Sequence, residues 1–107
     1  MDQSAFETLA DRTLADLMER LEPQLGDEDV ELNSGILTIE LVDGRQYVLN
    51  KHGPNRQLWM SSPVSGAWHF AWDAEARAWR STRGAEILHR LLESELTAIV
   101  GVGIALG

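Results

Sequence analysis

The first stretch of the chain repeats apolar residues at the three- and four-residue spacing of a helix with one buried face. This stripe begins at Phe6. Ser4 and Glu7 have the spacing of a capping box, in which a serine and a glutamate side chain accept hydrogen bonds from the free amides at a helix start. Pro23 is typical of a helix end. We therefore expect a first helix over residues 5–22.

A second stripe with the helical spacing occupies residues 87–99. Gly101 follows it, and glycine commonly ends helices because it adopts a left-handed conformation without strain. Ser81 or Thr82 is the expected cap at the start of this helix. The pattern therefore predicts one helix near each end of the chain.

Between the two helices, apolar and polar residues alternate with the period of two that half-buried strands show. Asn33-Ser34-Gly35 and Asp43-Gly44 supply residues that tolerate the positive φ angles of tight hairpin turns. The expected strands cover residues 30–32, 37–41, 47–50, 57–61, 67–72 and 78–81. We therefore predict a single α+β domain over residues 1–107, a two-layer sandwich with both helices on one face of an antiparallel sheet of about six strands.

Composition narrows the classes of function. The chain has 107 residues, no cysteine and a formal net charge of −8. The lack of cysteine excludes a disulfide scaffold, thiolate catalysis and cysteine-ligated metal sites. The negative charge would repel phosphate backbones and anionic lipids, so neither nucleic acid nor a membrane is an expected partner. No segment approaches the ~20 apolar residues of a membrane span, and we expect a soluble, cytoplasmic protein.

Catalytic constellations are sparse in this sequence. Ser61, Ser62 and Ser65 lack the glycine-flanked turn of a nucleophile elbow, and no partner base can be assigned to them. His52, His69 and His89 are scattered and do not have the spacing of a helical zinc motif. We therefore assign no catalytic residue.

Acidic residues are concentrated in the first part of the chain. Residues 1–43 carry twelve acids and two bases, a net charge of −10. Several of these acids lie on one flank of the first helix or in the segment 27–31, and they would form one ridge if the first strand is an edge beside that helix. Carboxylates are ligands for iron, calcium and manganese, so the ridge predicts loose cation binding. The alternative is a solvated surface that resists aggregation.

Strand alternation places Leu58 on one face of its strand and Trp59 on the other. We therefore expect Trp59 to be exposed to solvent, with His69 projecting to the same side from the next strand. Tryptophan is enriched at binding hot spots, so this face predicts an interface, unless neighbouring side chains partly cover Trp59. The core side of the strand that carries His69 is expected to hold Trp68, Phe70 and Trp72.

Several segments resemble the central strands of the frataxin family. These segments are residues 35–39 (GILTI), 47–51 (YVLNK), 54–63 (PNRQLWMSSP) and 65–66 (SG). The order of helix, strands and helix is similar to that of the short bacterial members over nearly the whole chain. The resemblance implies a cytosolic protein that binds ferrous and ferric iron weakly on an acidic ridge. It also implies action on the cysteine desulfurase and the scaffold protein of iron–sulfur cluster assembly.

The resemblance carries site residues over by position. The implied metal-binding ridge consists of Asp11, Glu19, Glu22, Asp27, Glu28, Asp29 and Glu31. The implied partner-binding sheet surface consists of Asn50, Lys51, Gln57, Trp59 and His69. His69 stands where eukaryotic frataxins have arginine, so activation of the desulfurase of the eukaryotic kind is not implied.

Three functions fit these residues. The first is an accessory and regulatory protein of cluster assembly, which binds iron and docks onto the desulfurase and scaffold. The second is a weak ferroxidase or iron-storage enzyme that uses the ridge carboxylates. The third is an acidic docking adaptor whose metal binding is incidental. We expect a monomer, with an iron-dependent oligomer as the alternative, and we expect other divalent cations to compete with iron.

Overall fold

Two helices and six strands follow one another in the computed structural model, which describes residues 1–107. In chain order they are α1 (Gln3–Leu21), β1 (Asp29–Asn33), β2 (Ile36–Glu40), β3 (Gln46–His52), β4 (Gln57–Ser62), β5 (Gly66–Asp73), β6 (Ala78–Ser81) and α2 (Leu88–Val100). The strands form one antiparallel meander in the order β1-β2-β3-β4-β5-β6. Both helices bury their apolar stripes against the same face. The predicted two-layer α+β sandwich is therefore confirmed.

The start of α1 differs from the prediction. The cap is Asp2, whose carboxylate accepts a hydrogen bond of 2.8 Å from the amide of Ala5. Ser4 lies inside the first turn, so the predicted capping box with Glu7 is wrong. An aspartate at this position accepts from a free amide and also places a negative charge at the positive end of the helix dipole. The helix therefore begins at Gln3, two residues earlier than predicted.

The predicted cap of α2 was also wrong, whereas the bounds of the helix lie within one residue of the predicted stripe and its end is confirmed. The N-cap position is Ile87, which makes no side-chain capping bond, because the chain first returns to form a bridge between Ile87 and Arg80 of β6. Ser81 belongs to β6, and its hydroxyl accepts from the amide of Arg83 instead. Gly101 adopts φ +85° and donates its amide to the last turn, as expected of a helix end.

The core lies between the helices and the inner face of the sheet. One row of side chains crosses five strands on that face: Leu32, Leu37, Leu49, Met60 and Trp68. Phe70 is fully buried, and Trp68 and Trp72 pack partly buried against the core, which confirms the predicted face. Near the end of the chain Ile104 and Leu106 are buried in the same cluster. The outer face of the sheet has no covering layer.

Neither helix is long and apolar enough to cross a bilayer.

Glu95 of α2 ties this helix to the sheet. One of its carboxylate oxygens accepts from the Tyr47 hydroxyl at 2.8 Å and the Ser62 hydroxyl at 2.7 Å, and the other accepts from the Ser65 hydroxyl. Tyr47 and Ser62 are buried. Burial and then the hydrogen bond to Glu95 raise the pKa of Tyr47 above its usual value. The cluster is a partly buried polar network, in which the buried hydroxyls of Tyr47 and Ser62 and the exposed hydroxyl of Ser65 share one acceptor group.

Candidate functional site

The acidic residues of α1 differ in whether a cation already neutralises them. The ammonium of Lys51 on β3 lies 3.0 Å from the carboxylate of Glu7 and 2.9 Å from that of Asp11. Hydrogen bonds to Asp11 and Glu7 raise the pKa of Lys51. Glu19 and Glu22, further along the helix, are exposed and make no ion pair. Of the predicted ridge residues on α1, Asp11 therefore already has a cationic partner.

The connection from α1 to the sheet carries two more predicted ridge residues. Asp27 is exposed and makes no hydrogen bond or ion pair. Glu28 turns back and accepts from the amide of Gly26 at 3.0 Å, which fixes its side chain close to the backbone. The freely available carboxylate of this segment is therefore that of Asp27.

The acids of β1 lie on the outer face of the sheet. Val30 and Leu32 pack towards the core, so strand alternation turns Asp29 and Glu31 the other way. Asp29 lies opposite Glu40 of β2 in the strand register. These three carboxylates line a shallow depression of about 130 Å³ together with Thr38 and Gln46.

Glu40 is an additional acid of this surface that was not among the predicted ridge residues. The alternation of Leu37, Ile39 and Leu41 would have placed it on the outer face, but its pairing with Asp29 required the register. The acidic surface thus has one part on α1 and one on the outer face of β1 and β2. Nowhere do three carboxylate or imidazole groups converge on one metal position. Such open carboxylates can hold a cation only loosely, with water completing its shell.

Lys51 does not lie on the predicted partner-binding face. In the register it is opposite Leu58, which is fully buried on the inner face, and opposite residues of an antiparallel pair share a face. Its assignment to the outer surface is therefore wrong, because Lys51 reaches from the edge of the inner face to α1. Asn50 precedes it on the strand and does lie on the outer face, opposite Trp59.

Trp59 lies between two imidazole rings on the outer face. Its ring is 3.7 Å from that of His52 and 4.1 Å from that of His69, centroid to centroid, and both pairs are within 8° of parallel. The indole N–H donates to the Gln57 side chain at 2.8 Å. Trp59 is therefore only partly exposed, and the prediction of a solvent-exposed side chain is wrong in degree. The predicted outward direction of both Trp59 and His69 is confirmed.

His52 is a member of this stack that sequence analysis missed. It lies two residues beyond Asn50 on the same face, but the predicted strand ended at residue 50, whereas β3 continues to His52. The Nδ1 atom of His52 is buried and has no hydrogen-bond partner. We define Asn50, His52, Gln57, Trp59 and His69 as the stacked face. It presents planar, polar groups with no acidic residue among them.

Together, the fold and these surfaces define a class of small acidic α+β domains, in which two helices cover one face of an antiparallel sheet and leave the other face free. A family model described as the frataxin-like domain matches residues 1–102 of the chain. The chain belongs to the frataxin family.

Individual relatives agree with this assignment. The chain is 36% identical to the iron-sulfur cluster assembly protein CyaY of Thioalkalivibrio sulfidiphilus, over 99% of this chain and 100% of that protein. It is 41% identical to the mitochondrial frataxin of Arabidopsis thaliana, and the matched region covers 99% of this chain and 59% of the relative. The chain thus spans about three fifths of the plant protein. A crystal structure of trimeric frataxin from Saccharomyces cerevisiae, complexed with ferrous, is 32% identical and superposes with a TM-score of 0.71 over 94% of this chain and 88% of that one.

Proposed function

We propose that this protein is an iron-binding accessory and regulatory protein of iron–sulfur cluster assembly in the cytoplasm. The observation that carries the proposal is the position of uncompensated carboxylates at the β1 edge, next to an uncovered sheet face with a stacked tryptophan. The name of the Thioalkalivibrio relative and the ferrous complex of the yeast relative support it. The protein would act by binding and would carry out no covalent step of its own.

Iron is the proposed cargo of the acidic surface. The proposed ligands are Asp11, Glu19, Glu22, Asp27, Glu28, Asp29 and Glu31, with Glu40 added by the register. Six of them are exposed and form no ion pair: Glu19, Glu22, Asp27, Asp29, Glu31 and Glu40. Asp29, Glu31 and Glu40 also line one depression, so together with the neighbouring Asp27 they are the carboxylates most available to a hard cation. Because no site is closed, ferrous and ferric iron and other divalent cations would occupy the same positions.

Metal titration should give weak binding, with a dissociation constant on the order of 10⁻⁴–10⁻³ M, as for open oxygen-ligated sites. In NMR spectra, anaerobic Fe²⁺ and Mn²⁺ should broaden the resonances of residues 27–31 and 40 first. Excess Ca²⁺ should reverse the broadening because it accepts the same oxygen ligands. Broadening centred on His52, His69 or His89 would contradict the assignment.

Lys51→Gln is the matched variant for the α1 part of the surface. It removes the ammonium that neutralises Glu7 and Asp11, so Mn²⁺ should now also broaden these two residues. Oxygen consumption after addition of Fe²⁺ tests the ferroxidase alternative. Oxidation faster than in buffer, and lost on charge reversal at Asp27 and Glu31, would favour that enzyme over an accessory protein.

The proposed partners are the cysteine desulfurase and the scaffold protein. The acidic surface would meet a basic patch on the desulfurase, and the stacked face would supply the apolar anchor of the interface. Exposed charge complementarity mainly raises the association rate, and salt screens it beyond about 8 Å at physiological ionic strength. Stacked aromatic rings in the middle of such a surface contribute affinity that depends little on salt.

Desulfurase binding should weaken about tenfold or more in the double variant Asp27→Lys/Glu31→Lys, and wild-type binding should weaken as salt is raised. Surface plasmon resonance at several salt concentrations separates the association rate, which should fall, from the dissociation rate. Glu75→Lys/Glu86→Lys is the matched control with the same change in charge, since Glu75 and Glu86 are exposed acids on either side of β6 and belong to neither proposed surface. Equal losses in the control and the double variant, or binding unaffected by salt, would refute the electrostatic docking.

A further inference from the structure

A groove of about 600 Å³ lies away from the acidic surface and the stacked face, between α1, the β5–β6 turn, the start of α2 and the last residues of the chain. Its apolar wall includes Trp72 and Trp79, whose rings meet edge to face at 5.4 Å. None of the proposed iron-binding or partner-binding residues lines it. Its size is within the range of pockets that hold small molecules.

The charge of this groove is opposite to that of the protein. Arg12, Arg20, Arg77 and Arg90 line it, and Asp16 is the only acidic side chain among the lining residues, in a chain with a net charge of −8. His89 also lines it, and burial, the largest effect, lowers the pKa of this imidazole. The positive charge therefore comes from guanidinium groups, which are protonated at every accessible pH. A cationic pocket with an aromatic wall is suited to an anion that has an apolar body.

Two of the four arginines are already engaged. Arg20 pairs with Asp16 at 2.9 Å, and Arg90 pairs with Glu93 at 2.6 Å and donates to the carbonyl of Gly107 at 2.8 Å. Arg12 and Arg77 make no hydrogen bond or ion pair through their side chains. Arg12 also lines a second groove of about 740 Å³, which shares Leu9 and Trp72 with the first. The two unengaged guanidinium groups thus flank the apolar wall from α1 and from the β5–β6 turn.

The β5–β6 turn presents Arg77 in a defined backbone conformation. Arg77 has φ +52°, in the left-handed region that residues other than glycine seldom adopt. The Asp73 carboxylate accepts from the amides of Glu75 and Ala76 and so stabilises the turn that leads to this residue. Arg56, in the turn between β3 and β4, has nearly the same backbone angle, φ +51°, but is outside the groove.

We propose that this groove binds a small organic anion, with an aromatic or apolar body against Trp72 and a phosphate or carboxylate group held by Arg12 and Arg77. The ligand would bear the opposite charge to the cations of the acidic surface. The two sites share no residue, so their ligands would not compete for the same groups. The groove would give the domain a small-molecule ligand in addition to its proposed partners.

The test uses 1-naphthyl phosphate and 2-naphthoate as probes, with inorganic phosphate and 1-naphthol as probes that lack the ring or the charge. In ¹H–¹⁵N spectra either naphthyl anion should shift the indole resonance of Trp72 in a saturable way and leave that of Trp59 in place. Inorganic phosphate and 1-naphthol should each bind about tenfold or more weakly than the naphthyl anions. Inorganic phosphate lacks the ring that would contact Trp72, and 1-naphthol lacks the anionic group that Arg12 and Arg77 would bind. Failure of both anions to saturate at millimolar concentration would overturn the proposal.

Arg77→Asn and Arg56→Asn form a matched pair, since each removes one exposed guanidinium at a positive φ that asparagine accepts. Arg77→Asn should weaken binding of the naphthyl anion about tenfold, whereas Arg56→Asn should stay within about twofold of wild type. Melting temperatures check that both variants fold. Equal losses in the two variants, or equal affinity for inorganic phosphate and naphthyl phosphate, would show nonspecific attraction to arginine and overturn the proposal.

Discussion

Leu58→Ala should lower the free energy of unfolding by about 2–5 kcal/mol, because Leu58 is fully buried on the inner face of β4 and its truncation leaves a cavity. Its neighbour Trp59 lies on the opposite face and is only partly covered. Trp59→Ala removes two stacked pairs, each worth about 0.5–1.5 kcal/mol, and should therefore cost less than the leucine replacement. Thermal and denaturant unfolding of the two variants measure this difference.

For binding of the partner, Trp59→Ala should have the larger effect and Leu58→Ala the smaller. If Trp59 anchors the interface, Trp59→Ala should weaken desulfurase binding by about 2 kcal/mol or more, roughly 30-fold. Leu58→Ala should bind almost normally at temperatures where it is folded, because Leu58 does not reach the outer face. A Trp59→Ala protein that unfolds readily and yet binds the desulfurase normally when folded would contradict this prediction. It would show that Trp59 stabilises the fold and does not contact the partner.

Glu95→Ala should lower the free energy of unfolding by roughly 2–4 kcal/mol. It removes the acceptor shared by the hydroxyls of Tyr47, Ser62 and Ser65, and a buried donor left without a partner costs about 1–3 kcal/mol. Tyr47→Phe removes one donor and leaves Glu95 its other two, so it should cost clearly less. Urea unfolding of both single variants and the double variant gives the coupling between them.

The pH profile gives an independent check on this cluster. The pKa of Tyr47 is raised in the folded protein, so its contribution to stability is complete below about pH 10 and is lost as the pH rises further. Tyr47→Phe should therefore lose less stability than wild type on going above pH 10. A Glu95→Ala protein as stable as wild type, with an unchanged alkaline profile, would mean that water replaces the carboxylate without cost.

The helices and strands were predictable because their apolar periods are local properties of the chain. The six strands were predicted to within two residues of their observed bounds. The residues that cap the helices were less predictable. Asp2 and Ser4 are both residue types that cap helices. In the structure Asp2 is the cap, which gives the longer helix. At α2, the helix begins after the bridge between Arg80 and Ile87. Ile87 makes no capping bond, so no residue type in the sequence indicates this start.

The candidate surfaces were predictable in part. The alternation of apolar and polar residues along β4 and β5 correctly predicted that Trp59 and His69 lie on the outer face. It would also have turned Lys51 inward, but the resemblance to the family placed Lys51 on the partner surface, and only its position opposite Leu58 corrects this. The prediction that Asp11 through Glu31 form an iron-binding ridge stays a prediction. The structure adds that Lys51 neutralises Asp11, which no spacing in the sequence indicates.

The sequence by itself determined the two-layer sandwich, the face of the sheet that is buried and the concentration of acid in residues 1–43, because each depends on residues close together in the chain. Only the tertiary structure decided the contacts between distant residues. It placed His52 against Trp59, Glu40 opposite Asp29, and Arg12 in one groove with Arg77. These contacts depend on strand register and helix packing, which emerge only when the whole core closes, and a shift of one residue would turn each strand side chain to the other face.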